Sequence, residues 1–146
     1  MKTMNFNALT KEKPVNLVTD GNYKAKIATA EMKENKNGKY ISVRLDILDE
    51  ENKRLNGVFD VLSESDAEMM QYKIYRFIRA TGIELPENFT LKTILDNIAN
   101  AKEFKVDITT QKQEGYSPRN VVNVAKDLYY TLEDNIEVED EVVGAF

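Results

Sequence analysis

The stretch that decides the fold is Asn37-Gly38-Lys39-Tyr40-Ile41-Ser42-Val43-Arg44-Leu45-Asp46-Ile47-Leu48. Ile41, Val43, Leu45 and Ile47 fall on one side and Tyr40, Ser42, Arg44 and Asp46 on the other. A period of two over this length is a strand with one buried and one wet face, as antiparallel sheets have. Asn37-Gly38 in front of it is a hairpin signal, because both residues accept positive φ. A partner strand must therefore come first. Asp20-Gly21 opens one over residues 22–31, where Tyr23, Ala25 and Ile27 alternate with Lys24 and Lys26. Downstream, the polar turn Asp49-Glu50-Glu51-Asn52 leads to a third strand over 54–62. There Leu55, Gly57, Phe59 and Val61 share a face, which reads as core, with Gly57 marking a bulge or bend.

The period then changes. Ser65-Asp66-Ala67-Glu68 has the form of a capping box, and Ala67, Met70, Ile74, Phe77, Ile78 and Thr81 follow at helical spacing until Gly82. After Pro86 a shorter helix carries the stripe Leu91, Ile94, Leu95 and Ile98. Two more strands follow, at 103–112 and 118–125, joined by a hairpin containing Gly115. Five short antiparallel strands with helices between the third and fourth predict a mainly β chain of the OB-fold class, a Greek-key barrel. A small α+β meander with one open sheet face is the alternative. The expected organisation is an N-terminal arm (1–20), an OB-fold nucleic-acid-binding domain (21–127) and a disordered acidic C-terminal tail (128–146).

Charge sets the tail apart. The net charge is −5, but residues 1–126 carry +2 and residues 127–146 carry −7, with no Lys or Arg after Lys126. Such a segment buries too little apolar surface to offset the entropy of ordering it. It reads either as a solvating tail or as a polyanion that competes with nucleic acid for a cationic groove and offers its terminal Phe146 to partners. The body of the chain holds no Cys and no His, which removes thiolate sites, the commonest general base and the commonest transition-metal ligand. The six glycines are scattered, so no phosphate-binding glycine motif exists. No cofactor or metal is expected, and no catalytic residue is assigned. Asp46, Asp60 and Asp107 are placed on wet strand faces, where their spacing does not demand a cation. Neither a leader-like apolar run nor a membrane-length stretch is present, so a cytoplasmic protein without membrane association is expected.

Nucleic-acid binding has positive support. A groove for a single strand needs cations along the phosphates and aromatic faces for the bases. The wet strand faces carry Lys24, Lys26, Tyr40, Arg44, Arg54 and Lys105, with Tyr116 and Arg119 near the last hairpin. Tyr40 reads equally as a stacking platform or as a half-buried rim tyrosine. Tyr116 and Phe59 are further stacking candidates, but for Phe59 core is the stronger reading because Leu55 and Val61 share its face. On the first helix Tyr72, Arg76 and Arg79 form a polar stripe, which reads as a solvated face, an extension of the binding path, or a contact with a second subunit of a homodimer.

The runs Gly21-Asn22-Tyr23-Lys24-Ala25-Lys26-Ile27, Lys36-Asn37-Gly38-Lys39, Ile41–Ile47, Leu55-Asn56-Gly57-Val58-Phe59-Asp60 and Ala80-Thr81-Gly82 carry a resemblance. Over residues 20–126 the chain resembles a family of small bacteriophage OB-fold proteins, some of which are single-stranded DNA-binding proteins of phage replication. Separately, Glu137, Glu139, Asp140, Glu141 and Phe146 are similar to the acidic, aromatic-capped tails with which bacterial and phage single-stranded DNA-binding proteins recruit replication and recombination proteins. Here Val142-Val143-Gly144-Ala145 separates the acids from Phe146, a departure from that pattern. The resemblance implies a sequence-nonspecific single-stranded DNA-binding protein, located in the host cytoplasm if phage-encoded. Its rivals are a protein-interaction module or DNA mimic, and a carboxylate-dependent nuclease.

Overall fold

The computed structural model describes residues 2–9 and 17–134. Strand β1 (Gly21–Asn35) turns at Lys36-Asn37 into β2 (Gly38–Leu48), and a second tight turn leads to β3 (Arg54–Ser63). Two helices follow, α1 (Glu68–Thr81) and α2 (Leu91–Asp96). Then come β4 (Phe104–Gln111), β5 (Arg119–Val122) and the two-residue β6 (Tyr129–Tyr130). The described strands form one antiparallel sheet in the order β3-β2-β1-β4-β5, with β6 also paired to β4. The sheet curls until its two ends touch: Asn56 Nδ2 of β3 donates to Asn120 Oδ1 of β5 at 2.7 Å.

The alternation of β2 sets the interior. Ile41, Val43, Leu45 and Ile47 are all fully buried. A bulge between Ile27 and Thr29 lets the long β1 keep phase, so that Ala25 before it and Ala30 and Met32 after it face the core. Phe104, Val106 and Ile108 of β4 close the far side, while Phe77 of α1 and Ile94 of α2 cover the open end. Helix α1 stops where Gly82 takes φ 69° and donates its N–H to Ile78 O, a left-handed cap that any side chain would strain. Its start differs from expectation. Ser65 Oγ accepts from the N–H of Ala67 at 3.0 Å, one residue ahead of the helix, and no side chain caps it. The capping box lies instead on α2, between Thr90 and Thr93. Of the turn pair Asn37-Gly38, only Gly38 has positive φ.

Strand β3 has the opposite parity to the one expected. Val58 and Leu62 are its core residues, while Phe59 is 66% exposed. Asp60 therefore points inward rather than to a wet face. There its carboxylate accepts from Lys73 Nζ of α1 at 2.8 Å and from the phenol of Tyr129. An isolated buried carboxylate would be severely destabilising; two charge-assisted donors make this one tenable. Tyr129 is the largest fully buried side chain, packed edge-on against Phe77 (ring centroids 5.4 Å apart) and Phe104 (5.7 Å). Burial, and then the Asp60 charge, push its phenol well above the ordinary tyrosine range.

The domain boundary moves accordingly. A tail was expected from residue 128, but Leu128 and Tyr129 are core residues and β6 pairs with β4. The packed chain reaches Asp134, whose carboxylate forms a two-pronged bond to Arg79, both contacts at 2.7 Å. Residues 127–134 thus form a strap along α1.

The Asp60 site makes a stability prediction. Lys73→Met strands the carboxylate and should lower unfolding free energy by about 3–5 kcal/mol. Tyr129→Phe, which keeps the rings packed and the ion pair intact, should cost about 1–2 kcal/mol. Urea denaturation of the two variants checks this, and a neutral Lys73→Met contradicts it.

Candidate nucleic-acid interface

Strand register arranges the outer face of β1, β2 and β3 as a grid. Reading from β3 to β1, its rows are Gly57–Asp46–Lys26, Phe59–Arg44–Thr29, Val61–Ser42–Glu31 and Ser63–Tyr40–Lys33. Successive rows lie about 7 Å apart, two residues of strand rise. Phe59 stands at one end of the second row with two-thirds of its surface in solvent. Beside it, the Arg44 side chain forms no ion pair or hydrogen bond among the described residues, and the same holds for the Lys26 side chain. Gly57 gives the row its flatness. A Cβ there would come within 2.7 Å of Arg54 Nη2 and 3.4 Å of Arg44 Nε, so the missing side chain is the space both guanidinium groups use. Arg54 is fixed by Asp46, which accepts from its Nε at 2.9 Å. The first two rows with Arg54 therefore offer one exposed aromatic ring, one unengaged guanidinium and two further cations, against one acid already paired. Glu31 and Lys33 of the next two rows pair with each other at 3.2 Å.

Of the residues proposed from sequence, Lys26, Tyr40, Arg44 and Arg54 share this face. Phe59, for which core was the stronger of two readings, is exposed and belongs with them. The signal existed: Val58 and Leu62 alternate as well as Leu55, Phe59 and Val61 do, and only the register against β2 separates the two sets. Tyr40 is half-buried, in keeping with a rim position. Lys24 continues the same outer face of β1 one row beyond Lys26 and is directly opposed to Lys105 across β1 and β4. Lys24 is engaged by Asn52 and, at 4.0 Å, by Glu103.

Tyr116 and Arg119 make a third group on the β4–β5 hairpin. With Gln111, Gln113 and Ser117 they line a cleft of about 350 Å³. Tyr116 is 73% exposed, and Arg119 Nε bonds Gln111 Oε1 at 3.1 Å. Glu137, Glu139, Asp140, Glu141 and Phe146 lie outside the described residues.

The three aspartates do not converge. Asp46 is outside with Arg54, Asp60 inside with Lys73, and Asp107 accepts from Asn22 Nδ2 (3.0 Å) and the Tyr130 phenol (2.7 Å). No group of three or more acidic, His or Cys side chains among the described residues is placed to hold a metal ion.

The polar stripe of α1 is engaged by the C-terminal strap, although Tyr72 and Arg79 stay partly exposed. Tyr72 donates to Asp127 at 3.0 Å, Arg76 Nε donates to Tyr129 O at 3.0 Å, and the Arg76 guanidinium lies 4.9 Å from the centre of the Tyr130 ring. Together with Arg79 and Asp134, these contacts run in chain order along both segments, so the strap lies parallel to the helix. No helix among the described residues is long and apolar enough to cross a membrane.

The chain belongs to the family described as "Protein of unknown function (DUF669)", which matches residues 4–129. No curated protein matches it. The match ends at Tyr129, inside the strap, so it takes in the buried ring that anchors the strap to the core.

Asp134 makes the strap sensitive to acid. Its bond to Arg79, followed by the Thr131 backbone N–H, holds its carboxyl well below the usual carboxylate range. A depressed folded-state pKa contributes stability that is present above the unfolded pKa and lost as pH falls through the folded one. Asp134→Asn should therefore cost up to about 1 kcal/mol at neutral pH, limited by solvent screening of a partly exposed pair. The difference from the parent should shrink as pH falls below 4, toward the folded-state pKa. Urea midpoints at several pH values check this, and a difference unchanged by acid contradicts it.

Proposed function

We propose that this chain is an OB-fold, sequence-nonspecific single-stranded DNA-binding protein, acting in phage DNA replication or recombination. The observation that carries the reading is Phe59, exposed beside the unengaged Arg44 on the outer faces of β2 and β3. Its ring stands beside cations on an open sheet face, and every nucleobase has a face to stack on it. Lys26, Arg44 and Arg54 supply phosphate contacts without sequence information.

The topology supports the same reading. With β3 and β5 in contact, the strands close in the ring β1-β2-β3-β5-β4, and the helices fall between β3 and β4. An OB-fold has this plan, and its ligands lie on the face of strands 2 and 3 and on the β1–β2 and β4–β5 loops. Here the grid occupies that face, and the Tyr116–Arg119 cleft occupies the β4–β5 loop. The acids beyond Asp134 act as a competing anion for the cationic face and as a contact for replication or recombination proteins.

Fluorescence anisotropy of labelled oligo-dT and a matching duplex, across a salt series, tests the proposal. The single strand should bind tightly and lose affinity steeply with salt, while the duplex binds weakly. Phe59→Ala should weaken binding about 5- to 150-fold, the worth of one stacked base. A chain ending at Asp134 should bind more tightly than the full chain, most of all at low salt. No binding by either chain at low salt would overturn the proposal and favour a protein-interaction module.

A further inference from the structure

We propose that β1 is a homodimer edge, on which two copies of the chain pair antiparallel about Met32. The starting point is an unfinished strand. β1 runs for 15 residues, but β4 pairs only with Gly21 to Ala25, so residues 26–35 have β2 on one side and no backbone partner on the other among the described residues. The N–H and C=O groups of such an edge are a ready template for another strand.

The direction of those groups follows from one hydrogen bond. Lys39 O accepts from Glu64 N, so Lys39 turns its backbone groups toward β3 and away from β1. Its register partner Glu34 is then a non-hydrogen-bonded pair and points its own groups to the free edge. By alternation Ala30, Met32 and Glu34 present the free edge, while Glu31 and Lys33 bond to β2. A second copy must therefore pair even residues with even ones.

Charge selects among the registers that remain. Two copies centred on Glu31 would place Glu31 opposite Glu31, and two centred on Lys33 would place Lys33 opposite Lys33. Centring on Met32 places Glu31 of each copy opposite Lys33 of the other. Both pairs are non-hydrogen-bonded, where opposed side chains come closest. Glu31 and Lys33 already touch within one chain at 3.2 Å, and their side chains are 67% and 47% exposed. Two copies would join these into a ring of four alternating charges. A protective edge charge needs only to repel; a sequence that repels in the neighbouring registers and attracts in one is self-complementary, as a two-fold interface requires. The two grids would then continue across the axis as one six-stranded face.

The test needs no nucleic acid, so it succeeds or fails apart from the proposed function. Sedimentation equilibrium of the full chain should show a monomer–dimer equilibrium. Glu31→Lys and Lys33→Glu should each weaken dimerisation about tenfold or more, because two attractive pairs become repulsive. The double variant, Glu31→Lys with Lys33→Glu, should restore it. Should a single variant fail to fold, Met32→Cys in this cysteine-free chain offers a second measurement. Opposed Cα atoms on the axis would be about 5.5 Å apart, within disulfide reach, so mild oxidation should yield a covalent dimer. A monomer at every concentration, single reversals that dimerise as well as the parent, or a double variant that stays monomeric would each overturn the proposal.

Discussion

Asp60 faces inward, and most of what lies outside the sheet follows from that. Side chains on a strand alternate strictly, so an inward Asp60 makes Phe59 and Val61 outward. A carboxylate in the interior must also be paired, and both of its partners come from distant parts of the chain. Lys73 ties α1 to the sheet, and Tyr129 ties the C-terminal strap to it. One buried charge thus links three elements and sets the aromatic content of the outer face. A hydrophobic residue in its place would pack as stably or more so, but would demand nothing of Lys73 or Tyr129.

Much of the fold was legible because its signals are local. The alternation of β2 gave the core residues Ile41, Val43, Leu45 and Ile47 directly, and Gly82 marked the end of α1. The parity of β3 was not legible. Leu55, Phe59 and Val61 make as good an apolar face as Val58 and Leu62, and the deciding fact is that Asp60 has donors 13 and 69 residues away. The strap was hidden for a related reason. Tyr129 and Tyr130 stand among acids, and a two-residue strand has no period to read. Lys24 and Lys105 were correctly placed on outer strand faces, but a sequence does not say which outer faces adjoin.

The same geometry separates the two sets of cations. Arg76 and Arg79 are occupied by the strap, and Lys73 by Asp60, so the helix spends its charges internally. The sheet face leaves Arg44 and Lys26 unengaged and keeps room for the guanidinium groups over Gly57. On the proposed reading, the pairing of Phe59 with Arg44 distinguishes this face from a merely charged one.

The most direct test of the account is amide chemical-shift mapping of the ¹⁵N-labelled chain titrated with oligo-dT. The account predicts perturbations centred on Thr29, Arg44, Gly57 and Phe59, extending to the hairpin at Tyr116, with α1 unaffected. Perturbations confined to α1 and the strap would contradict it.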